Sequence, residues 1–395
     1  MVICRRFNIC KMPVEKVDIE TFLSLATRYP VLDARSPGEF EHAHLPGAVS
    51  FPLFTDEERK VVGTAYKQQG REEAIKMGME YFGVKMRRMV EEAESIAGNF
   101  KRGRNQKNLA AGDEQISAPL TGQKPAFLVH CWRGGMRSAA VAWMLNIYGF
   151  EVYLLEGGYK KFRSYVLETF AMPFKINILG GFTGSGKTEL LHELSRKGLP
   201  VIDLEHLANH KGSAFGAVGP QASQEMFENE LALALRSGGI LPRPESFNTD
   251  GYAPREVWIE DESQRIGTLM IPNELWKTMQ RAPVYFLDIP FERRLDRIEK
   301  EYGVRKKEDL DNSIVRIQKR LGGLEVKTAR SFLEQNNTRE AFSILLMYYD
   351  RCYLKSLKQK QSAGVQVCTL PCHKTDIKEN SATLLACFPA LKVTP

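Results

Sequence analysis

The chain has 395 residues, of which 43% are hydrophobic and 26% charged, and its formal net charge is +7. At roughly 100–200 residues per domain, this length predicts two domains, and the composition excludes a mainly disordered chain. No apolar run reaches the roughly 18–20 residues that cross a bilayer, and charges occupy the N-terminus where a signal peptide is apolar. We therefore expect a cytoplasmic protein with no membrane partner. The seven scattered cysteines predict reduced thiols, and the positive charge favours a polyanionic partner such as nucleic acid.

The first half of the chain shows a strand and helix pattern. Short apolar runs at 31–33, 126–130 and 151–155 predict buried strands, and a helical apolar period at 139–147 separates the last two. This order is a βαβ unit. Residues 98–125 lose periodicity and collect Gly, Asn, Gln and basic residues, which predicts a long mobile insertion.

The second half repeats the alternation. Strands are predicted from residue 175 and at 201–204, 256–260 and 284–289, with helices from 188 to Gly198 and at 309–321. Alternating strands and helices predict a parallel α/β sheet in each half. We expect an N-terminal domain at 1–170 and a C-terminal domain at 171–395, whose last part is helical.

A phosphate-binding loop pattern, GFTGSGKT, follows the strand at residue 175 and opens the next helix. Its backbone amides and helix N-terminus would converge on a phosphate, with a lysine as point charge and a threonine hydroxyl available to a metal. The alternative is a glycine turn that binds nothing. The candidate diphosphate-binding residues are Gly181, Thr183, Gly184, Ser185, Gly186, Lys187 and Thr188.

Acidic residues near strand ends are candidates for holding Mg²⁺ beside this loop. Asp203, Glu260 and Glu262 have the right placement, although solvated or paired carboxylates are the commoner case. Lys211 and Ser213 belong to a stretch that could form a lid over the phosphates, or a plain surface turn. Because the sequence singles out no acid, we expect a diphosphate ligand and no consumption of nucleoside triphosphate. No tightly bound cofactor and no His or Cys metal site are expected.

A second constellation, CWRGGMRS, places Cys131 at a strand end, then a glycine loop, then Arg137 opening a helix. Loop amides, the positive helix end and the two arginines Arg133 and Arg137 would hold an anion against the sulfur and favour the thiolate. The alternative is an inert buried cysteine. Phosphatases and sulfurtransferases both use such a loop, so the predicted catalytic residues are Cys131, Arg133 and Arg137.

The surrounding sequence resembles the rhodanese signature over roughly residues 14–168. The similar segments are VLDARSPGEF at 31–40, HLPGAVSFP at 44–52 and LEGGY at 155–159. This resemblance implies a rhodanese-like parallel sheet with helices on both faces, followed by a P-loop α/β domain. The thiol loop is one residue longer than in common sulfurtransferases, which suits a larger anion such as selenophosphate.

The two motifs together resemble the bacterial tRNA 2-selenouridine synthase family. DLEHLANHKGSAFG at 203–216, EDESQRIG at 260–267 and KRLGG at 319–323 extend the similarity, whereas the insertion at 98–125 departs from the family pattern. The resemblance implies a transferase that replaces sulfur by selenium at C2 of the wobble uridine. The intermediate would be an S-geranylated 2-thiouridine, made with geranyl diphosphate and selenated with selenophosphate.

By the same resemblance, Cys131 handles selenium and residues 181–188 hold the diphosphate. The partners would be tRNA carrying 2-thiouridine at the wobble position and the enzyme that supplies selenophosphate. Two alternatives stay open on the residues alone. One is a rhodanese-like sulfurtransferase or cysteine phosphatase fused to an ATPase, and the other is a non-catalytic tRNA-binding protein.

Overall fold

The structure is a computed structural model that describes residues 14–111, 125–211, 219–237, 256–303 and 307–388. For residues 101 and 103–111 it describes the backbone alone. The chain divides into two compact units between Leu167 and Glu168, beside the boundary expected at residue 170. No helix among the described residues is long and apolar enough to cross a membrane.

The first unit contains a five-stranded sheet in the order β1-β5-β4-β2-β3, with every neighbouring pair parallel. Its strands are β1 (Glu15–Val17), β2 (Val31–Asp33), β3 (Val49–Ser50), β4 (Ala126–His130) and β5 (Glu151–Leu155). Its helices are α1 (Ile19–Ala26), α2 (Pro37–His42), α3 (Asp56–Gln68), α4 (Arg71–Gly83), α5 (Met86–Ala111), α6 (Met136–Ile147) and α7 (Gly158–Thr169).

Helices cover both faces of this sheet. Side chains alternate across a strand, so each face presents its own set of side chains to the helices. Phe127 and Val129 of β4 pack on one face in the core that includes Val141 of α6. His130 points to the other face, where its ring contacts Phe22 of α1 and Tyr159 of α7. The three strands expected at 31–33, 126–130 and 151–155 have the bounds that their apolar runs predict.

The insertion expected at 98–125 begins inside a helix. Residues 98–111 continue helix α5, which begins at Met86. Lys, Arg, Gln, Asn and Ala are all tolerated on a solvated helix, so missing apolar periodicity does not exclude one. Residues 112–124 lie outside the described residues.

The second unit contains a parallel sheet in the order β12-β11-β6-β8-β7, and a separate antiparallel pair. The parallel strands are β6 (Lys175–Gly181), β7 (Val201–Ile202), β8 (Glu256–Glu260), β11 (Val284–Asp288) and β12 (Val367–Pro371). The antiparallel pair is β9 (Arg265–Ile266) and β10 (Leu269–Met270). The helices around the sheet are α8 (Lys187–Arg196), α9 (Leu204–Leu207), α10 (Gln224–Arg236), α11 (Asn273–Arg281) and α17 (Ile377–Cys387).

A helical part follows β11 and has its own apolar core. It contains α12 (Phe291–Tyr302), α13 (Lys307–Arg316), α14 (Gln318–Leu321), α15 (Gly323–Glu334) and α16 (Thr338–Ser362). The single helix expected at 309–321 is interrupted at Ile317, whose φ of −101° and ψ of 4° are not helical. Leu310, Ile314 and Leu321 of this segment are buried in the core of the helical part.

Candidate functional site

The thiol loop connects β4 to α6, so Cys131 lies at the carboxyl end of the sheet and is only 3% exposed. The first turn of α7 packs against this loop and donates backbone hydrogen bonds to it. The amide of Tyr159 donates a hydrogen bond to the Cys131 carbonyl oxygen at 2.8 Å. Gly158 has φ +58°, and a Cβ there would lie 2.3 Å from that carbonyl oxygen, so only glycine allows this approach.

A serine in the first turn of α6 contacts the sulfur. Ser138 Oγ lies 3.2 Å from Cys131 Sγ and 3.1 Å from the carbonyl oxygen of Gly135. Ser138 is fully buried, so its hydroxyl proton has these two acceptors. A thiolate is the stronger acceptor, and the hydroxyl can turn to it when the sulfur loses its proton.

The two predicted arginines have different surroundings. Arg133 is exposed on the loop, whereas Arg137 Nη1 donates to Glu39 Oε2 at 2.8 Å. Arg59 Nε approaches the same carboxylate oxygen at 2.9 Å. Burial raises the pKa of Glu39. The hydrogen bond and charge of Arg137, together with the charge of Arg59, lower the pKa by more than burial raises it, so the net shift is downward. Glu39 therefore holds Arg137 in place, and Arg133 is the exposed cation of the loop.

A buried ion pair lies at the end of β2, beside the thiol loop. Arg35 Nη2 binds Asp33 Oδ2 at 2.6 Å and the Ala43 carbonyl oxygen at 2.8 Å. The Arg35 guanidinium also lies 3.7 Å from the centre of the Tyr159 ring. Since Tyr159 supports Cys131, Asp33 and Arg35 act on the thiol loop through their packing against Tyr159.

The phosphate loop connects β6 to α8 in the second unit. Gly186 precedes α8 with φ +81°, a left-handed conformation that favours glycine. Lys187 Nζ donates to the Gly181 carbonyl oxygen at 3.2 Å, so the lysine lies across the loop. The predicted strand, loop and helix are all present, which is the arrangement that binds a phosphate at a helix N-terminus.

Arg294 of α12 supports the phosphate loop from the helical part. Its side chain is 3% exposed and binds both oxygens of Asp350, at 2.9 and 2.7 Å. The same guanidinium donates to the Thr183 carbonyl oxygen at 3.2 Å. The loop conformation therefore depends on α12 and α16, more than 100 residues away in sequence.

Three carboxylates converge beside the phosphate loop. Oxygen atoms of Glu205, Glu260 and Glu262 lie within 4.8 Å of one another. Thr188 Oγ1 donates to Glu205 Oε2 at 3.1 Å, which joins this cluster to the loop. Glu260 Oε1 accepts from the amide of Glu205 at 2.8 Å, while its buried Oε2 has no hydrogen-bond partner among the described residues.

The electrostatics of this cluster are those of repelling buried acids. Burial and the neighbouring carboxylates raise the pKa of Glu262 to about 8 and raise the pKa of Glu260 well above its ordinary value. Burial lowers the pKa of Lys187, but Tyr353 and the glutamates raise it by more, so this lysine stays charged. A divalent cation would remove the repulsion and give the unpartnered Glu260 oxygen a ligand role, so the residues fit Mg²⁺.

The structure sorts the predicted acids. Glu260 and Glu262 belong to the cluster, but Asp203 does not, because it caps α9 through the His206 amide at 2.8 Å and contacts His192 at 2.7 Å. Lys211 forms an ion pair with Glu301, which lies on α12. Ser213, the other lid candidate, lies outside the described residues.

Sequence reasoning missed two residues of this site. Glu205 follows β7 by three positions and could have been found as a carboxylate after a strand end. Tyr353 of α16 has its ring 5.3 Å from Lys187 Nζ, and no local pattern marks it. Burial and three acids raise the pKa of Tyr353 against the lowering effect of Lys187, so it remains a neutral phenol.

Comparison with known proteins identifies the family. Residues 174–370 match the family described as "tRNA 2-selenouridine synthase AAA domain". A tRNA 2-selenouridine synthase of Shewanella frigidimarina is 33% identical over 365 residues, covering 84% of this chain and 89% of that protein. The Nitrosomonas europaea protein of the same name is 36% identical over 277 residues, covering 69% and 63% of the two chains. Since the similarity to the Shewanella protein extends over most of both chains, this chain belongs to the tRNA 2-selenouridine synthase family.

Proposed function

We propose that this chain is a tRNA 2-selenouridine synthase that alkylates and then selenates the wobble 2-thiouridine of tRNA. One observation carries the proposal: a single chain combines a buried thiol loop at Cys131 with a phosphate loop at residues 181–188. A protein that only binds tRNA needs neither a buried cysteine held against a serine nor a lysine placed across a glycine-rich loop.

The first step uses the phosphate loop. The uridine sulfur attacks C1 of geranyl diphosphate, the carbon–oxygen bond breaks, and diphosphate leaves with the electron pair. Loop amides, the N-terminus of α8 and Lys187 bind the diphosphate and stabilise its developing charge. Glu205, Glu260 and Glu262 would hold Mg²⁺ beside Thr188, where the cation would supply further neutralisation of diphosphate charge.

The second step uses the thiol loop. Alkylation turns the C2 thiocarbonyl into a thioether, which departs as geranyl thiol after selenium adds to C2. The loop amides and exposed Arg133 bind the selenophosphate anion beside Cys131. The Cys131 thiolate attacks phosphorus, the phosphorus–selenium bond breaks, and selenide leaves with the electron pair to attack C2. Water then releases phosphate from the cysteine. Arg137, fixed by Glu39, orients the first turn of α6 beneath the anion. The partners are tRNA with 2-thiouridine at the wobble position and the enzyme that supplies selenophosphate.

Two variants separate the steps. Cys131→Ser replaces the thiol by a weaker nucleophile of similar shape, so selenation should stop while S-geranyl-2-thiouridine accumulates. Lys187→Ala removes charge stabilisation of diphosphate, and geranylation should slow by roughly 10²–10³. Selenation of tRNA supplied already geranylated should persist in Lys187→Ala. Nucleoside mass spectrometry on thiolated and geranylated tRNA measures both steps.

The matched controls are Cys352→Ser, an exposed thiol, and Lys197→Ala, an exposed lysine of the same unit. Both should keep wild-type yields. Loss of geranylation in Cys131→Ser, or its survival in Lys187→Ala, would contradict the assignment of one step to each loop.

An ATPase is the second candidate, because the glutamate cluster beside Thr188 also suits Mg²⁺ bound to a nucleotide. We expect no consumption of nucleoside triphosphate. Hydrolysis of ATP that tRNA stimulates and Lys187→Ala abolishes would favour this alternative.

A further inference from the structure

An apolar groove of about 820 Å³ lies in the first unit, between α3, α4 and the first turns of α6. Three of its large apolar side chains stay accessible: Tyr66 is 51%, Met79 66% and Met136 48% exposed. Neither the thiol loop chemistry nor the core of the unit explains an open apolar surface of this size. Such a surface marks a binding site for an apolar group.

The charged residues of the groove all have one sign. Arg59, Lys60, Lys67 and Arg137 line it, and none of its described lining residues is acidic. Glu39 pairs with Arg137 and Arg59 from outside the groove, so the four cations leave the rim with a net positive charge. An apolar floor with a basic rim complements a molecule that combines a hydrocarbon chain with anionic phosphates.

The groove begins at the thiol loop. Met136 and Arg137, the first two residues of α6, line it, and the next residue, Ser138, lies 3.2 Å from Cys131 Sγ. A molecule bound in the groove can therefore reach the sulfur, because the groove lining and Ser138 share the first turn of α6.

We propose that this groove binds the geranyl chain of S-geranyl-2-thiouridine in tRNA during selenation. The inference rests on the proposed function, in which the C2–sulfur bond breaks and the sulfur leaves with its geranyl chain attached. That chain must lie beside the thiol loop, and its hydrocarbon gains by leaving water for the apolar groove. The basic rim meets the phosphates that flank the wobble nucleotide. The proposed function assigns the diphosphate of free geranyl diphosphate to the phosphate loop, so the proposal commits to geranylated tRNA as the occupant of the groove.

Gly63→Phe tests the groove by filling it. Gly63 lines the groove on α3, is exposed, and has no heavy atom within 4 Å of a Cβ placed on it, so the ring enters open space. Gly83→Phe is the matched control, because Gly83 ends α4, has equally open surroundings and does not line the groove.

The measurement compares tRNA carrying S-geranyl or S-methyl 2-thiouridine, for both binding affinity and kcat/KM of selenation. Wild type and Gly83→Phe should prefer the geranyl form by at least about 10-fold, since each buried CH₂ adds to affinity. Gly63→Phe should bring this preference close to 1 while geranylation of thiolated tRNA keeps its rate.

Several results would overturn the proposal. A preference that Gly63→Phe leaves intact would show that the chain binds elsewhere. A raised KM for geranyl diphosphate with intact preference would assign the groove to the donor. A wild-type dimer that Gly63→Phe dissociates, with intact preference, would assign the groove to a second copy of the chain.

The proposed function can fail separately. A wild-type protein that prefers geranylated tRNA through the groove but never selenates it would overturn the proposed function and leave the groove assignment standing.

Discussion

The hydroxyl of Thr188 donates a hydrogen bond to Glu205 across 3.1 Å, and this contact joins the phosphate loop to the carboxylate cluster. Threonine belongs to the loop motif, whereas the glutamate comes from the segment after β7. Under the proposed function, Mg²⁺ binding for the alkylation step would therefore depend on a residue outside the motif.

Glu205→Gln should weaken Mg²⁺ binding without removing the loop. The amide keeps a hydrogen-bond acceptor for Thr188 but removes one negative charge from the cluster, so the Mg²⁺ concentration for half-maximal geranylation should rise by at least about 10-fold. Titration of geranylation with Mg²⁺ measures this. Glu274→Gln on the surface of α11 is the control, and an unchanged titration in Glu205→Gln would contradict the metal assignment.

Breaking the Arg294–Asp350 pair should destabilise the second unit. Asp350→Ala leaves a guanidinium that is 3% exposed without its bidentate partner, and losing one member of a buried pair costs about 3–5 kcal/mol. Arg330 and Asp311 form an exposed bidentate pair in the same unit, so Asp311→Ala should cost less than about 1 kcal/mol. Urea unfolding of the two variants measures the difference, and equal costs would contradict the supporting role of Arg294.

Ser138→Ala should slow selenation and spare geranylation. The substitution removes the hydroxyl 3.2 Å from Cys131 Sγ, and a hydrogen bond to a charged group contributes about 1.5–3 kcal/mol, so the rate should fall about 10-fold or more. Single-turnover selenation of geranylated tRNA measures the rate. Ser164→Ala, which removes a hydroxyl from α7, should keep the wild-type rate. Equal rates in the two variants would exclude a role for Ser138 in the reaction.

The stability of the protein should fall as the pH decreases through the histidine range, because of His130. This ring is fully buried, and burial lowers its pKa from 6.5 more than the neighbouring Asp33 raises it. The unfolded chain then binds more protons than the folded chain, so stability is present above pH 6.5 and is lost as the pH decreases below it.

His130→Phe should reduce this loss, since a phenyl ring can keep the contacts with Phe22 and Tyr159. Thermal unfolding between about pH 5 and 8 gives the slope of Tm against pH. The exposed His373→Phe variant should keep the wild-type slope. A slope that His130→Phe leaves unchanged would assign the acid sensitivity to other groups.

Local sequence patterns determined most of the fold and both loops. Strands such as Ala126–His130 are short apolar runs that end in glycine-rich turns, and these signals lie within about ten neighbouring residues. The same patterns predicted Cys131 and Lys187, because each motif carries its chemistry in consecutive residues. They failed at residues 98–111, where the helix has no apolar period to detect.

Only the tertiary structure decided which distant residues complete the two sites. The strand order β6-β8-β7 brings Glu205 and Glu260 to one edge of the sheet and leaves Asp203 to cap a helix. Tyr353 reaches Lys187 through helix packing, and the groove beside Cys131 exists only where α3, α4 and α6 meet. Local propensity acts over a few residues, whereas convergence of side chains depends on how whole elements pack, and a single sequence does not display that packing.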